Sequence, residues 1–274
     1  MNGIKARIKS VKSTMQITGA MELVATSKLR RAKEKAERTR PFYEALGGAI
    51  SSVIAAGEFS GSVYTDEAGE GKTLFVVIAG DRGLAGGYNA NIFRLAAGLI
   101  KDGDAVLPIG KKALEYYKSR GYTLFGDGVS LVAELGVGDT LALGESMTGA
   151  FVSGEYSRVV LVYTRFVSML TQSAVWEQLL PLECEASENV SEPEYDGEPE
   201  EMLRKIVPSY VGGVLYSAVA ESLASESGAR RSAMNAANKN AKEMIDGLML
   251  RYNRARQAII TQEITEIVSG AEAL

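Results

Sequence analysis

The 274-residue sequence contains no histidine and only one cysteine, Cys184. Without imidazole, Ser/His and Cys/His nucleophile pairs lose their base, and most hydrolase mechanisms lose their usual proton acceptor. A lone cysteine excludes an internal disulfide and a cysteine metal cluster. No apolar run approaches the roughly 18 residues of a membrane span. The opening residues, "MNGIKARIKSVKS", lack the apolar core of a secretory signal, so the chain is expected either to remain inside a cell or to be in its mature form. A hydrophobic content of 46% is ordinary for a folded globular chain.

Net charge is scarce too, at −4, but it is unevenly placed. Residues 1–40 carry eleven Lys/Arg against three Glu, while residues 185–201, "EASENVSEPEYDGEPEE", carry eight acidic groups and no basic one. The acidic stretch reads as a solvated linker, and 185–204 is taken as its extent. A basic run is ordinarily a solvated helix face. Nucleic-acid binding finds no support from a recognised motif or from interleaved aromatics.

The chain separates into three further regions: 1–57, 72–184 and 205–274. In the first, a 3,4 spacing runs through Ile4, Ile8, Val11, Met15, Thr18, Glu22, Ala25, Leu29, Ala32, Ala36, Thr39, Tyr43, Leu46, Ile50 and Val53, and twelve of these fifteen are apolar. Such a pattern belongs to a long helix lying against another in a left-handed supercoil. Pro41 removes one backbone donor and predicts a kink near 39–42. The last region repeats the pattern at Met234, Asn238, Ala241, Ile245, Leu248, Tyr252, Ala255 and Ile259. Helical from Pro208 to about Glu272, it would be roughly 97 Å long, too long for a small domain to surround. The two ends are therefore expected to pair antiparallel, with Ala229, Ala233, Ala236, Ala237 and Ala241 allowing close approach. A compact helical bundle is the alternative that this length argues against.

Between the helices, "TLFVVIA" (73–79), "AVLPIG" (105–110), "YTLF" (122–125) and "RVVLVYT" (158–164) are β-rich runs with helical segments between them. The alternation predicts a mostly parallel, Rossmann-like sheet. A nucleotide site is tested by the stretch "GKTLFVVIAGDRGLAGGYNANI" (71–92). A P-loop needs glycine five residues before Gly71, where Asp66 stands, and its loop follows a strand, whereas Gly71-Lys72-Thr73 precedes one. The later turn "GDRGLAGGYN" does lie between strand and helix, where backbone N–H groups can meet a phosphate. Yet Gly83, Gly86 and Gly87 do not keep the G-x-G-x-x-G spacing, and no acidic residue closes the 105–110 run to hold a ribose. The turn is read as structural, with Asp81 and Arg82 capping its helix or facing a partner.

Three blocks then carry a resemblance: "IKARIKSVKSTMQIT" with "AMELVATSKLRRA", "DRGLAGGYNANI", and "YNRARQAIITQEITEIVSGAEAL"; "FVSMLTQSAVWEQLLPL" adds a weaker fourth. In order and nearly end to end, the chain resembles the gamma subunits of F-type ATP synthases, the central rotor shafts. The resemblance implies a long antiparallel coiled coil of N- and C-terminal helices plus a Rossmann-like α/β domain. It implies no cofactor and no catalytic group of its own. The implied partners are three alpha and three beta subunits around the coil, and the epsilon subunit and membrane c-ring at the α/β domain. The implied location is the cytoplasmic face of the cell membrane, peripheral, without insertion.

Residue roles follow from the same resemblance. Met21, Lys28, Arg30, Arg31 and Lys33 match positions that face the acidic lever of beta. Arg256, Gln257, Thr261 and Glu263 match contacts with its catch loop. Ile260, Ile264, Ile267 and Val268 form an apolar tip for a bearing in the ring. Three departures accompany the matches. Gly19 stands where the family usually has Lys, Ala85 replaces a common cysteine, and Ser227-Gly228 replaces bulkier residues. The long cysteine-bearing insertion of the chloroplast form is absent, which argues against thiol regulation of that kind, and without a transit peptide a bacterial source is expected. Two alternatives from other classes remain at this point: a free coiled-coil scaffold, and a Rossmann-type nucleotide-binding protein with helical arms.

Overall fold

The computed structural model describes residues 1–55, 62–65, 69, 71–169, 171–182 and 199–272. Cys184, the acidic stretch 185–198 and most of the polar run 57–71 lie outside the described residues, as do the side chains of Thr39 and Val53. Two compact units are present, Met1–Thr26 with Arg230–Leu274, and Ser27–Ala229. Helix α1 (Asn2–Ala55) and helix α5 (Pro199–Glu272) contribute to both.

In the first unit the two helices run antiparallel. Lys5 Nζ lies 5.4 Å from the Tyr252 ring centroid, while Glu22, seventeen residues later, accepts from Asn235 Nδ2 at 3.1 Å and Asn238 Nδ2 at 3.0 Å. Rising numbers on one helix thus meet falling numbers on the other. The 3,4 spacing is the contact face: Ile4, Ile8, Val11 and Met15 are half-buried and Ala25 is buried, opposite buried Met234, Ala241 and Ile245. Thr18 and Glu22 break the apolar pattern because they meet Asn238, which accepts the Thr18 hydroxyl and donates to Glu22.

The second unit is built on a five-stranded sheet, β1 (Thr73–Ile78), β2 (Ala105–Ile109), β3 (Thr123–Leu124), β4 (Arg158–Phe166) and β5 (Gln172–Leu180), in the order β3-β2-β1-β4-β5. Four strands are parallel and β5 is antiparallel to β4. Both faces are covered, which is why β1 and β2 are buried at every residue. Phe75, Val77 and Val160 pack on α2 (Tyr88–Leu99) and α3 (Lys111–Ser119). Leu74, Val76, Ile78 and Leu161 pack on α4 (Val137–Val152) and α5. The α5 stripe Leu203, Val207, Val211, Leu215 and Val219 is at most 1% exposed, and each such side chain contributes roughly 1.5–3 kcal/mol. By length and composition α5 includes a stretch able to cross a membrane; here it is the core helix of this unit. At the α4–α5 crossing Gly144 faces Gly212, and a Cβ on Gly144 would stand 2.6 Å from the Gly212 nitrogen.

Three features differ from the sequence reading. β5 was not among the expected strands; it joins β4 through a tight turn in which Ser168 N–H donates to the Thr171 carbonyl at 2.9 Å. α5 begins at Pro199, so 199–204 are helix rather than linker, with Glu200 and Glu201 in the first turn where the helix dipole favours acids. α5 also runs through Pro208 as helix, where the sequence reading starts it.

Candidate functional site: the sheet crevice and the outer helix faces

In an open α/β sheet a ligand binds beyond the C-terminal strand ends, where successive connections leave in opposite directions. Here that point lies between β1 and β4. Helix α5 fills it. The Ser222 hydroxyl accepts from Thr164 N–H at 3.4 Å, the Ser225 hydroxyl donates to the Thr164 carbonyl at 3.1 Å, and the Ser222 carbonyl accepts the Tyr88 hydroxyl at 3.2 Å. The Glu226 carboxylate lies against Gly80, so closely that a Cβ on Gly80 would stand 2.9 Å from it. Ser222, Ser225, Glu226 and Tyr88 are all buried. Burial, then the nearby Glu226, pushes the Tyr88 phenol far above its ordinary value and keeps it neutral. The space beside Gly80, at the mouth of the crevice, is thus already taken by the Glu226 side chain.

The glycine-rich turn itself is tight, with Leu84 and Gly86 in the left-handed region at φ 61° and 58°. Asn89, in the first turn of α2, accepts from Gly80 N–H at 2.8 Å and closes the turn on the strand. Asp81 does not cap α2. Its Oδ1 accepts from Val132 N–H at 3.0 Å and lies 3.4 Å from Lys111 N, because the end of β1 adjoins the end of β2, where α3 starts. It therefore holds the next crossover. Among the described residues no cluster of three or more His, Cys, Asp or Glu is placed to hold a metal ion.

A cavity of about 510 Å³ in the second unit is lined by Tyr43, Tyr163, Arg165, Glu177, Tyr210 and Glu221, among others. Arg165 pairs with Glu177, which also accepts the Tyr163 hydroxyl at 3.1 Å. Burial pushes Tyr163 up to about 12 and moves Tyr43 and Tyr210 in the same direction. A group serving proton transfer near neutral pH would be shifted the other way.

The partner-facing residues expected from sequence fall in two places. Lys28, Arg30, Arg31 and Lys33 are exposed on α1 in the second unit, where Arg30 pairs with Glu34 at 3.8 Å and Lys33 with Glu37 at 3.5 Å. Met21 is half-buried on α1 in the first unit. Arg256, Gln257, Thr261, Glu263, Ile264 and Ile267 are exposed on α5 in that unit, and the Thr261 hydroxyl donates to the Gln257 carbonyl at 2.9 Å. With Lys5 over Tyr252 and α1 starting at Asn2, α5 outruns its partner helix beyond about residue 256. The apolar tip is bare, Ile264 at 55% and Ile267 at 72% exposure. Sequence reasoning did not single out Ile17, Leu23 and Val24, which are also exposed on α1. Their signal is that they are apolar and off the seam.

These features define a class: paired helices, with an α/β unit whose ligand crevice is closed by the chain's own helix. A family model described as ATP synthase matches residues 1–274. The ATP synthase gamma chain of Ruminococcus albus is 47% identical over 280 residues, covering 99% of this chain and 97% of that one. The sodium-ion-specific gamma chain of Acetobacterium woodii is 42% identical over 294 residues, with 99% and 97% covered. A chain in the Euglena gracilis mitochondrial ATP synthase (OSCP/F1/c-ring, rotational state 3) superposes with TM-score 0.71 at 18% identity, over 99% of this chain and 93% of that one. The chain belongs to the ATP synthase gamma-chain family.

Proposed function

We infer that this chain is the rotating central shaft of an F-type ATP synthase. It couples ion flow through the membrane sector to ATP synthesis or hydrolysis at the beta subunits and holds no catalytic site or cofactor of its own. The observation that supports this most is the full-length match to gamma chains, together with an α/β crevice filled by Ser222, Ser225 and Glu226. Its partners on this reading are three alpha and three beta subunits, the epsilon subunit and the c-ring. It works at the cytoplasmic face of the cell membrane without inserting into it. On this reading the coil is the helix pair of the first unit, Met1–Thr26 with Arg230–Leu274, and the sheet belongs to the second, Ser27–Ala229.

A shaft without threefold symmetry inside a nearly threefold ring presents a different face to each beta subunit. Driving a site from 1:99 to 99:1 requires faces that differ by about 5.5 kcal/mol in contact free energy. We assign that discrimination to Met21, Lys28, Arg30, Arg31 and Lys33 on α1 and to Arg256, Gln257, Thr261, Glu263, Ile264 and Ile267 on α5. The test is assembly of the purified chain with alpha and beta subunits, with a visible probe attached to the α/β domain. Stepwise rotation during ATP hydrolysis is expected. A hydrolysing complex whose probe stays still, or micromolar ATP binding by the isolated chain, overturns the reading.

A further inference from the structure

β4 outruns its parallel neighbour: β1 ends at Ile78, level with Tyr163, and β4 continues to Phe166. Thr164 lies in the overhang, 4% exposed, and a buried backbone N–H and C=O need partners. The hydroxyls of Ser222 and Ser225 supply both. Three residues apart, they share one face of α5, with Glu226 beside them against Gly80. Elsewhere α5 meets the sheet largely through apolar side chains, the stripe from Leu203 to Val219 and, beyond it, Leu223 and Ala224 beside Phe166. Apolar burial is non-directional, so these contacts resist separation better than they resist turning. Hydrogen bonds are directional, and these run from short side chains to strand backbone, with no flexible lever between.

We propose that this socket is a torque joint, in which Ser222, Ser225 and Glu226 are positioning residues that stop α5 from turning about its own axis against the sheet. The crevice that binds a ligand in related topologies here binds the helix. The inference rests on the shaft reading, under which load applied to the α/β domain must turn α5 with it.

The test is the Ser222→Ala/Ser225→Ala double variant in the complete, membrane-reconstituted complex; it removes two hydroxyls without filling or emptying the socket. The readout is ions pumped per ATP hydrolysed as the opposing ion gradient is raised. The expected ratio matches the parent at zero gradient and falls below it progressively as load grows. Exchange of the Thr164 amide is expected to quicken roughly tenfold or more, for two lost bonds of ordinary strength. A general stability defect lowers the amount of active complex equally at every load and leaves the ratio alone. Parent-like ratios at every load overturn the joint, as does a deficit independent of load. If the double variant does not assemble, the single variants, each keeping one bond, decide between the same outcomes. A parent complex that hydrolyses ATP but pumps at no load overturns the shaft reading, and this inference with it.

Discussion

Glycine and tyrosine show at single-residue scale how much context decides. Gly110 has φ 100°, and a Cβ there would collide with the Ala79 carbonyl and stand 2.8 Å from Val132 Cγ2. Gly98, inside α2, has nothing within 4 Å of such a Cβ. Gly110→Ala is therefore expected to cost about 3 kcal/mol or more, while Gly98→Ala gains about 0.5–1 kcal/mol from helix propensity. Urea denaturation of the two variants checks both signs, and a neutral Gly110→Ala would mean the β1–β2 end is laxer than described. Buried tyrosines set the alkaline limit. Tyr88, Tyr117, Tyr163 and Tyr210 all have phenols raised by burial, Tyr163 to about 12. The folded state holds these protons after the unfolded chain releases its own near pH 10, so the contribution is whole below pH 10 and lost as pH rises through the folded values. Thermal scans should show Tm falling steeply above pH 10. A Tm unchanged to pH 12 would show that these rings are not buried.

Helices and strands were legible to different degrees, for physical reasons. The long helices repeat one contact rule over many turns, so a few polar exceptions do not hide it. Thr18, Glu22 and Asn238 looked like defects in the seam; they are partners of one another, which only pairing across helices reveals. β5 was hidden because it is an edge strand. Trp176 is 50% exposed and its neighbours are half-buried, so neither alternation nor a solid apolar run marks it. The crevice was legible only by exclusion. Failed phosphate-loop spacing argued against a nucleotide, but that α5 would occupy the place could not be read from serines 140 residues away in sequence. For the seam, Ile245 is the sharper probe, 7% exposed. Ile245→Asp places a charge against α1 and is expected to cost several kcal/mol, relieved in part by local opening of the pair. Circular dichroism on heating should register it as an earlier loss of helix, whereas the same change at Ile267, 72% exposed, should leave the melt where it was.

On the shaft reading the whole molecule acts by biasing other chains, and the basic run on α1 is where a solvated-face reading competes most directly with a partner-facing one. Arg30 and Lys33 already have carboxylates one turn ahead, Glu34 and Glu37, but the side chains are 78% and 56% exposed and the pairs are 3.8 and 3.5 Å apart. Exposed pairs of this kind contribute about 0–1 kcal/mol, and a cation placed N-terminal to its acid is the weaker order. They are easily exchanged for a partner's carboxylates. If Arg30, Arg31 and Lys33 only solvate the helix, changing all three to Gln should leave coupling untouched. If they face an acidic lever and together contribute about 1.4 kcal/mol, a 99:1 bias falls to about 10:1, and roughly one turnover in ten slips. Salt should then mimic the substitution in the parent, since the Debye length shrinks to about 3 Å at 1 M. Assembly should survive, because the three residues lie off the buried seam at Leu29 and Ala32. The measurement is ions pumped per ATP in reconstituted vesicles, for parent and triple variant across a salt series. The expected result is a lower ratio for the variant at low salt and convergence of the two at high salt. Equal ratios throughout would return these residues to the solvated face and leave the discrimination to Met21 and the exposed end of α5.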